Sequence, residues 1–355
     1  MDEVWEVFIV LASTPRISVI MPAYNAEPYV THAIKSILQQ TFRNFEFIVI
    51  NDGSTDRTAD LIAAFNDQRI RLICNDRNLG LVVVRNLGMS LAIGEYVALM
   101  DADDVAFPDR LLKQFMFMEN NPDFAMVGAN MEMIDESGRL ISAIKYPAPP
   151  EKIPSMLFFG NYFTQSSIMI RRNCLPSVPY RNFPGVEDYD LWLRIAARGK
   201  VWNLQETLVQ YRIHKAGISM RNEAEIENYL RIIVCRNLEA FGIVPTEEEL
   251  FIQRKVDRCE GDNSLDFITE AENWLLKLID INDDHAVFDV DQFRKVVGEK
   301  WFYSCLAARK FGLDAWMIFG NSKLRKFIRL NIYQYFGFLV SCLANQFIAK
   351  VRSYA

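Results

Sequence analysis

Gly94-Glu95-Tyr96-Val97-Ala98-Leu99-Met100-Asp101-Ala102-Asp103-Asp104 runs a block of large apolar residues straight into three carboxylates. The block Tyr96 to Met100 predicts a strand covered on both faces, because an unbroken apolar run bounded by Gly and Asp offers no polar side to water. At its carboxyl end, a period of two puts Asp101 and Asp103 on one side. Two carboxylates held so close repel each other unless a cation lies between them. Hard oxygen ligands at the mouth of an α/β sheet suit Mg²⁺ or Mn²⁺, with phosphate oxygens completing the shell. The alternative is that Asp103 or Asp104 caps the helix that Pro108 begins. This stretch alone supports the two equally.

On the N-terminal side, strand and helix alternate. Arg16 to Met21 reads as a first strand ended by Pro22, followed by a loop Pro22-Ala23-Tyr24-Asn25 and a helix over Pro28 to Gln40. Phe45 to Ile50 is a second strand, ended by Asn51-Asp52-Gly53-Ser54, and Thr55 or Asp56 would cap the helix through Leu61, Ile62 and Phe65. Ile70 to Cys74 is a third strand and Leu79 to Ile93 a third helix. This spacing means right-handed βαβ units and an open, mostly parallel sheet flanked by helices, Rossmann-like in its first half. On the C-terminal side the pattern loosens. A helix is expected over Pro108 to Glu119, strands over Phe124 to Met133, Arg139 to Ile144, Ser166 to Ile170 and Thr207 to Ile213, and a helix over Leu191 to Ala197. From about Asn222 nearly everything reads as helix.

A chain of 355 residues, half of them hydrophobic, can bury one large core or two modest ones. Its net charge of -6 provides no basic field for nucleic acid, which is not expected as a partner. The six cysteines are scattered without a C-x-x-C pair, the pattern of buried free thiols in a reducing compartment. The acidic start Met1-Asp2-Glu3-Val4-Trp5-Glu6 and the short apolar stretch Val7 to Ala12 do not suit an export signal, and no apolar segment is long enough to span a bilayer. A cytoplasmic location is expected.

Ligands of open α/β sheets bind beyond the carboxyl ends of the strands. Here three polar loops converge on that edge: Pro22 to Asn25, Asn51 to Ser54 and Asp101 to Asp104. Together with flanking sequence they read PAYN, QTFRNFEFIVINDGSTD, NLGLVVVRNLGMSLAIGEYVALMDADD, VEDYDLWLRI and YRIH, in that order across residues 16 to 216. This combination resembles the family 2 inverting glycosyltransferases of GT-A fold. The resemblance implies a nucleotide-sugar donor, expected to be a UDP-sugar, and a glycan or lipid-linked acceptor. It implies that Pro22, Ala23 and Tyr24 pack on the base, and that Asp52 accepts a hydrogen bond from a pyrimidine imide. Asp52 could otherwise be a turn residue of Asp-Gly. Asn78, Gly80 and Arg85 resemble the segment beside the nucleotide, with Arg85 meeting uracil or phosphate unless it is a surface ion pair.

Asp101-Ala102-Asp103 matches the family's D-x-D metal motif, with Asp104 contributory. The expected cofactor is therefore Mn²⁺ or Mg²⁺, which neutralises a departing diphosphate. Asp188 matches the catalytic base, because an attacking alcohol must lose its proton as the new bond forms. It could also be an N-cap, with Asp190 as a rival capper. His214 resembles the later histidine that joins the metal in some members. The chain departs from the family at Gln165, where many members carry His, and at Val82, Val83 and Val84, which replace smaller residues. The rival readings are a nucleotide-sugar-binding protein without catalysis and a sugar-phosphate nucleotidyltransferase. The latter would need a Gly-rich basic loop after the first strand, which Pro22 to Asn25 does not supply.

The expected organisation is an extension over 1–14, a catalytic domain over 15–221 and a helical region over 222–355. In the last, Trp274, Leu275, Leu278, Ile279, Trp301, Phe302 and Leu306 read as buried helix faces. After residue 320 come Lys323, Arg325, Lys326, Arg329, Lys350 and Arg352 with no acidic residue among them, around an aromatic run Tyr333 to Val340. This suits either a helix lying on the cytoplasmic face of the membrane or one docked on the catalytic domain.

Overall fold

Apolar β-branched runs become strands and amphipathic runs become helices, as their periods require. In the computed structural model, which describes residues 14–146, 148–214, 223–260 and 264–352, the strands are Ile17–Ala23 (β1), Phe45–Asn51 (β2), Ile70–Cys74 (β3), Tyr96–Leu99 (β4), Val105–Ala106 (β5), Phe124–Ile134 (β6), Leu140–Ile144 (β7), Met169–Arg171 (β8) and Lys200–Arg212 (β9). The helices are Val30–Leu38 (α1), Thr58–Ala63 (α2), Leu81–Leu91 (α3), Arg110–Asn120 (α4), Ile153–Leu157 (α5), Glu187–Ala196 (α6), Glu223–Ala240 (α7), Glu247–Asp257 (α8), Asp266–His285 (α9), Val290–Ala307 (α10), Leu313–Asn321 (α11) and Ile332–Arg352 (α12). Apart from Thr14, the expected extension over 1–14 lies outside the described residues, as do residues 215–222 around the expected boundary at 221.

The chain divides into two compact units. The first comprises the described residues of Met1–Pro147, Phe163–Asn182 and Arg194–Gly217. It holds the whole sheet, in the order β3-β2-β1-β4-β8-β6-β9-β5 with β7 added beside β6. Strands β3, β2, β1 and β4 are parallel, β8 runs against both of its neighbours, and β9 is parallel to β6. The sheet is thus mixed and mostly parallel, with flanking helices, and the C-terminal region is helical. Val30, Ala33, Ile34 and Ile37 of α1 share a core with Ile17, Val19 and Met21 of β1. Against β1, α3 approaches so closely that a methyl added at Gly88 would stand 2.4 Å from Ile20 Cγ2.

The second unit comprises the described residues of Ala148–Tyr162, Phe183–Leu193 and Ile218–Ala355. Its core contains Trp274, Leu275, Leu278, Ile279, Trp301 and Phe302, the helix faces expected from their spacing, with Leu306 packed at the edge. A capping box of Thr246 and Glu249 opens α8. The final turn of α8 carries Asp257, whose carboxyl is pushed up to about 6 by burial, partly offset by Lys300 and Arg254.

Several element boundaries differ from expectation. Strand β1 continues through Pro22 to Ala23 instead of ending at Pro22. Ile20 O accepts from Met100 N, so polar groups two residues on face the same side, where β4 has already ended at Leu99. The missing N–H of Pro22 therefore costs no ladder bond. The strand expected over Ser166 to Ile170 is only Met169–Arg171. Ser167 Oγ bonds back to Thr164 O at 2.8 Å and holds Gln165–Ser167 in a 3₁₀ turn. Helix α4 begins at Arg110 rather than at Pro108, and α6 at Glu187 rather than Leu191.

Candidate active site

The three carboxylates after β4 do not continue the strand. Strand β4 stops at Leu99, and Asp101 to Asp104 form a turn, so the period-two placement of Asp101 and Asp103 is corrected. Each acid has its own partner. Asp101 Oδ1 accepts from Arg85 Nη2 at 2.8 Å. Asp103 Oδ2 lies 2.8 Å from His214 Nε2. Asp104 Oδ1 accepts from Arg212 N at 2.8 Å, and its Oδ2 is buried without a hydrogen-bond partner. Helix α4 starts six residues beyond, preceded by Asp109, so neither Asp103 nor Asp104 caps it and that reading is overturned.

The turn is half-buried, at an electrostatic cost: Asp104 is fully buried while Asp101 and Asp103 keep part of their surface. Burial raises the Asp103 carboxyl, the charge on Asp101 raises it further, and His214 partly offsets both. Burial, then Asp103 and Asp101, drive Asp104 well above the usual carboxylate range. Behind the turn lies Arg110, fully buried, donating through Nη2 to Leu99 O at 2.8 Å and Ile168 O at 3.1 Å. Burial lowers its guanidinium to about 9 against the opposing pull of Asp104 and Asp101. Arg212 braces the turn from the other side. Its Nε donates to Asp103 O at 2.8 Å, and its guanidinium lies 4.8 Å over the Tyr29 ring, itself 5.0 Å from the ring of His214.

Carboxylate oxygens and an imidazole nitrogen are donors that Mn²⁺ and Mg²⁺ take. Among the described residues no three His, Cys, Asp or Glu side chains form a ready-made shell. That suits a cation held by one or two carboxylates and completed by a phosphate ligand. The partly exposed carboxylates of Asp101 and Asp103, with the imidazole of His214 beside Asp103, fit such an ion.

The first two loops are knitted together. Asn25, at φ 48°, accepts from Thr55 N through Oδ1 at 2.9 Å and donates its own N–H to Ser54 Oγ at 3.0 Å. Ala26 N donates to Thr58 Oγ1 at 2.8 Å and Glu27 N to Asp56 Oδ2 at 3.1 Å. Tyr24 is left exposed beside the Pro22-Ala23 strand end. Asp52 is buried and already in use. Its Oδ1 accepts from Asn75 Nδ2 at 2.8 Å and Leu79 N at 2.9 Å, and its Oδ2 from Gly80 N at 2.9 Å. It thus shapes the loop that presents Asn78, with lone-pair capacity remaining on Oδ2. Gly53 makes that loop possible: at φ +65° its missing Cβ would stand 2.3 Å from the Arg77 carbonyl carbon. Gly53→Ala should destabilise by more than the ~1–2 kcal/mol of a left-handed backbone alone, read as a lower urea midpoint. An unchanged midpoint would refute the clash.

Arg85 is an ion-paired residue, but a buried one, with a side chain only 8 % exposed. Its guanidinium also lies 5.6 Å from the ring centroid of Tyr180. Tyr180 is held at both ends. Asn86, next to Arg85 on α3, exchanges two hydrogen bonds with the Tyr180 backbone at 2.8 and 2.9 Å, and Gln165 Nε2 donates to the Tyr180 hydroxyl at 2.8 Å. Gln165, one of the departures noted above, therefore holds the Tyr180 ring that lies against the Arg85–Asp101 pair. Val82 and Val84 are buried and Val83 is exposed, so two of the three larger residues fill the packing behind α3. Tyr180→Leu should weaken activation by Mn²⁺ about tenfold, as the cation–π contact and hydroxyl anchor together are worth ~1–2 kcal/mol. Tyr180→Phe should restore part of it. Equal metal titrations for all three proteins would remove this role.

In the second unit, Asp188 lies in the first turn of α6 rather than before it. Its Oδ1 accepts from Tyr189 N at 2.7 Å and its Oδ2 from Asn161 Nδ2 at 3.1 Å. Glu187 and Asp190 are buried while Asp188 is half-exposed. Glu187 closes the preceding turn through Gly185 N at 2.6 Å. Of the three acids Asp188 is the least buried.

Sequence reasoning assigned no role to Arg110, Arg212, Tyr180 or Asn161. Two of these carried a signal: Arg212 stands inside the YRIH piece, and Arg110 falls with Gln114 and Met118 at intervals of four on the buried face of α4.

The sequence family described as glycosyl transferase family 2 matches residues 18–174. EpsE of Bacillus subtilis strain 168, which carries a glycosyltransferase name, is 35% identical over 262 residues, covering 70% of this chain and 90% of its own. The O-antigen biosynthesis glycosyltransferase WbnJ of Escherichia coli is 37% identical over 206 residues, covering 56% of this chain and 80% of its own. Residues 1–349 of S. aureus TarS, solved in complex with UDP-GlcNAc, superpose with a TM-score of 0.54 at 18% identity, over 81% of this chain and 87% of that one, a likeness of fold.

Proposed function

Since the chain belongs to glycosyl transferase family 2 and is a glycosyltransferase, we propose that it moves a sugar from a UDP-sugar to an acceptor hydroxyl with inversion, in a metal-assisted single displacement. The observation that carries the reading is the half-buried acidic turn, in which Asp103 faces His214 and Asp101 faces Arg85. Asp103, Asp101 and His214 would hold Mn²⁺ or Mg²⁺, which when bound supplies charge neutralisation to the departing diphosphate. Arg85, freed from full pairing with Asp101, adds a fixed positive charge on the same side. Pro22, Ala23 and Tyr24 pack on the base, and Asn78 and the remaining lone pair of Asp52 border it. Ala102, buried between the two acids, sets their spacing.

Asp188 takes the acceptor proton. As the acceptor oxygen forms its bond to the anomeric carbon, the bond from that carbon to the phosphate oxygen breaks, the proton passes to the Asp188 carboxylate and UDP leaves. A neutral alcohol needs this help, and the turn of α6 holds the carboxylate ready for it. The donor class follows TarS, which shares the fold and binds UDP-GlcNAc. The acceptor is a glycan or lipid-linked acceptor, in line with the O-antigen biosynthesis named for WbnJ. Family membership sets aside the nucleotidyltransferase and the binding protein without catalysis.

A thermal-shift screen of nucleotide sugars with and without Mn²⁺ tests this. At a hundredfold excess over Kd, ligand binding adds about 2.7 kcal/mol, a rise of several degrees that should need UDP and the metal together. No response to any nucleoside diphosphate, with or without metal, would overturn the reading.

A further inference from the structure

The last helix has two apolar faces. On one side of α12, Phe338 and Cys342 enter the helical core, where Phe338 meets Phe302 and Phe319 edge-on and Tyr335 packs on Trp316. On the other, Tyr333, Phe336, Val340, Leu343 and Phe347 are exposed, Tyr333 to 84% and Phe347 to 70%. Successive steps of three and four residues set these five in one row along the helix. Single exposed apolar residues are ordinary, but a continuous row marks an interaction surface. No charged residue occurs between Arg329 and Lys350, so nothing in the sequence of the helix interrupts the row with charge.

The segments at its ends have the opposite character. Lys323, Arg325, Lys326 and Arg329 precede the helix, Lys350 and Arg352 stand at its end in the sequence, and no Asp or Glu follows Asp314. Arg325 and Lys326 lie over aromatic rings, those of Phe319 and Tyr335 and that of Phe327. Among the described residues no helix is long and apolar enough to cross a membrane. A row of aromatic and aliphatic side chains between basic ends is what an interfacial helix presents.

We propose that this face of α12 docks on an anionic lipid surface, with Tyr333, Phe336, Val340, Leu343 and Phe347 entering the boundary between headgroups and acyl chains. The basic ends decide between that occupant and a second copy of the chain. Two copies paired through the row, parallel or antiparallel, would bring cationic ends together with no carboxylate in either tail to receive them. An anionic headgroup layer complements both ends at once, each basic residue near it adding about fivefold to binding. The proposal goes beyond the transfer reaction and does not depend on the donor.

Sedimentation of the full chain with vesicles tests it, using phosphatidylcholine alone and phosphatidylcholine with phosphatidylglycerol. The expected result is pelleting with the anionic vesicles at least tenfold stronger than with the neutral ones. Phe336→Ser with Phe347→Ser should lower it at least tenfold without moving the Tm, since both side chains are exposed. Lys323→Gln with Lys326→Gln should lower it on anionic vesicles only. Absent pelleting, equal pelleting on both compositions, or pelleting unchanged in the serine variant would overturn the proposal. So would a wild-type dimer by light scattering that the serine variant dissociates while neither binds vesicles, which would make this face an interface between copies.

Discussion

Asp188→Asn is expected to bind UDP and Mn²⁺ as the unaltered protein does while turnover falls by roughly 10²- to 10⁴-fold. The substitution changes almost nothing except basicity. An asparagine fits the same first turn of α6 and its amide oxygen can still accept from Tyr189 N, while its NH2 group meets Asn161, whose amide must turn its oxygen inward to receive it. No neighbour replaces the lost function, because Glu187 and Asp190 are buried and Glu187 is committed to Gly185 N. Single-turnover transfer with saturating donor, beside UDP affinity by calorimetry, reads the two halves separately. Retained turnover would remove Asp188 as the base. Lost UDP affinity would show that the substitution had disturbed more than a proton acceptor.

Asp103→Asn is expected to cost about 10³-fold in turnover, comparable to deleting one main stabiliser of a developing oxyanion, and to abolish the rise in Tm that Mn²⁺ gives with UDP. Without metal the variant should be no less stable than the unaltered protein. Asparagine keeps a hydrogen-bonding oxygen for His214 and removes one of three crowded negative charges, each of which raises the cost of the others. A purely structural acid would behave in the opposite way, with Tm falling in the absence of metal and the metal response intact. Measuring Tm with and without metal for both proteins separates the cases.

The central strands β1, β2 and β4 were legible because nothing in their apolar runs competes with a buried parallel sheet, and the loops at their carboxyl ends follow from that geometry. That Asp101, Asp103 and Asp104 would stand together at that edge was legible for the same reason. Their partners were not. Arg85 meets Asp101 and Tyr180 meets Gln165 across separations of 16 and 15 residues, and Arg212 reaches Asp104 across 108. Such pairings depend on which segment the sheet order places alongside which, and no local period encodes that. Asp52 shows the limit most clearly. Three donors of its own chain hold it, and nothing in its local sequence announced any of the three. Ser167 shows a local competition that went unread, since its hydroxyl gave the backbone a turn in place of a strand.

Arg110 also shapes how the enzyme meets its surroundings. Its charge is sealed behind the backbone oxygens of Leu99 and Ile168, out of reach of the mobile ions of the medium. Those ions shield exposed charges over about 8 Å at physiological concentration but act far less on buried ones. The charge that Arg110 places behind the acidic turn is therefore set during folding and stays nearly constant as salinity changes. Rising salt should weaken what the partly exposed Asp101 and Asp103 hold while leaving the contribution of Arg110 in place.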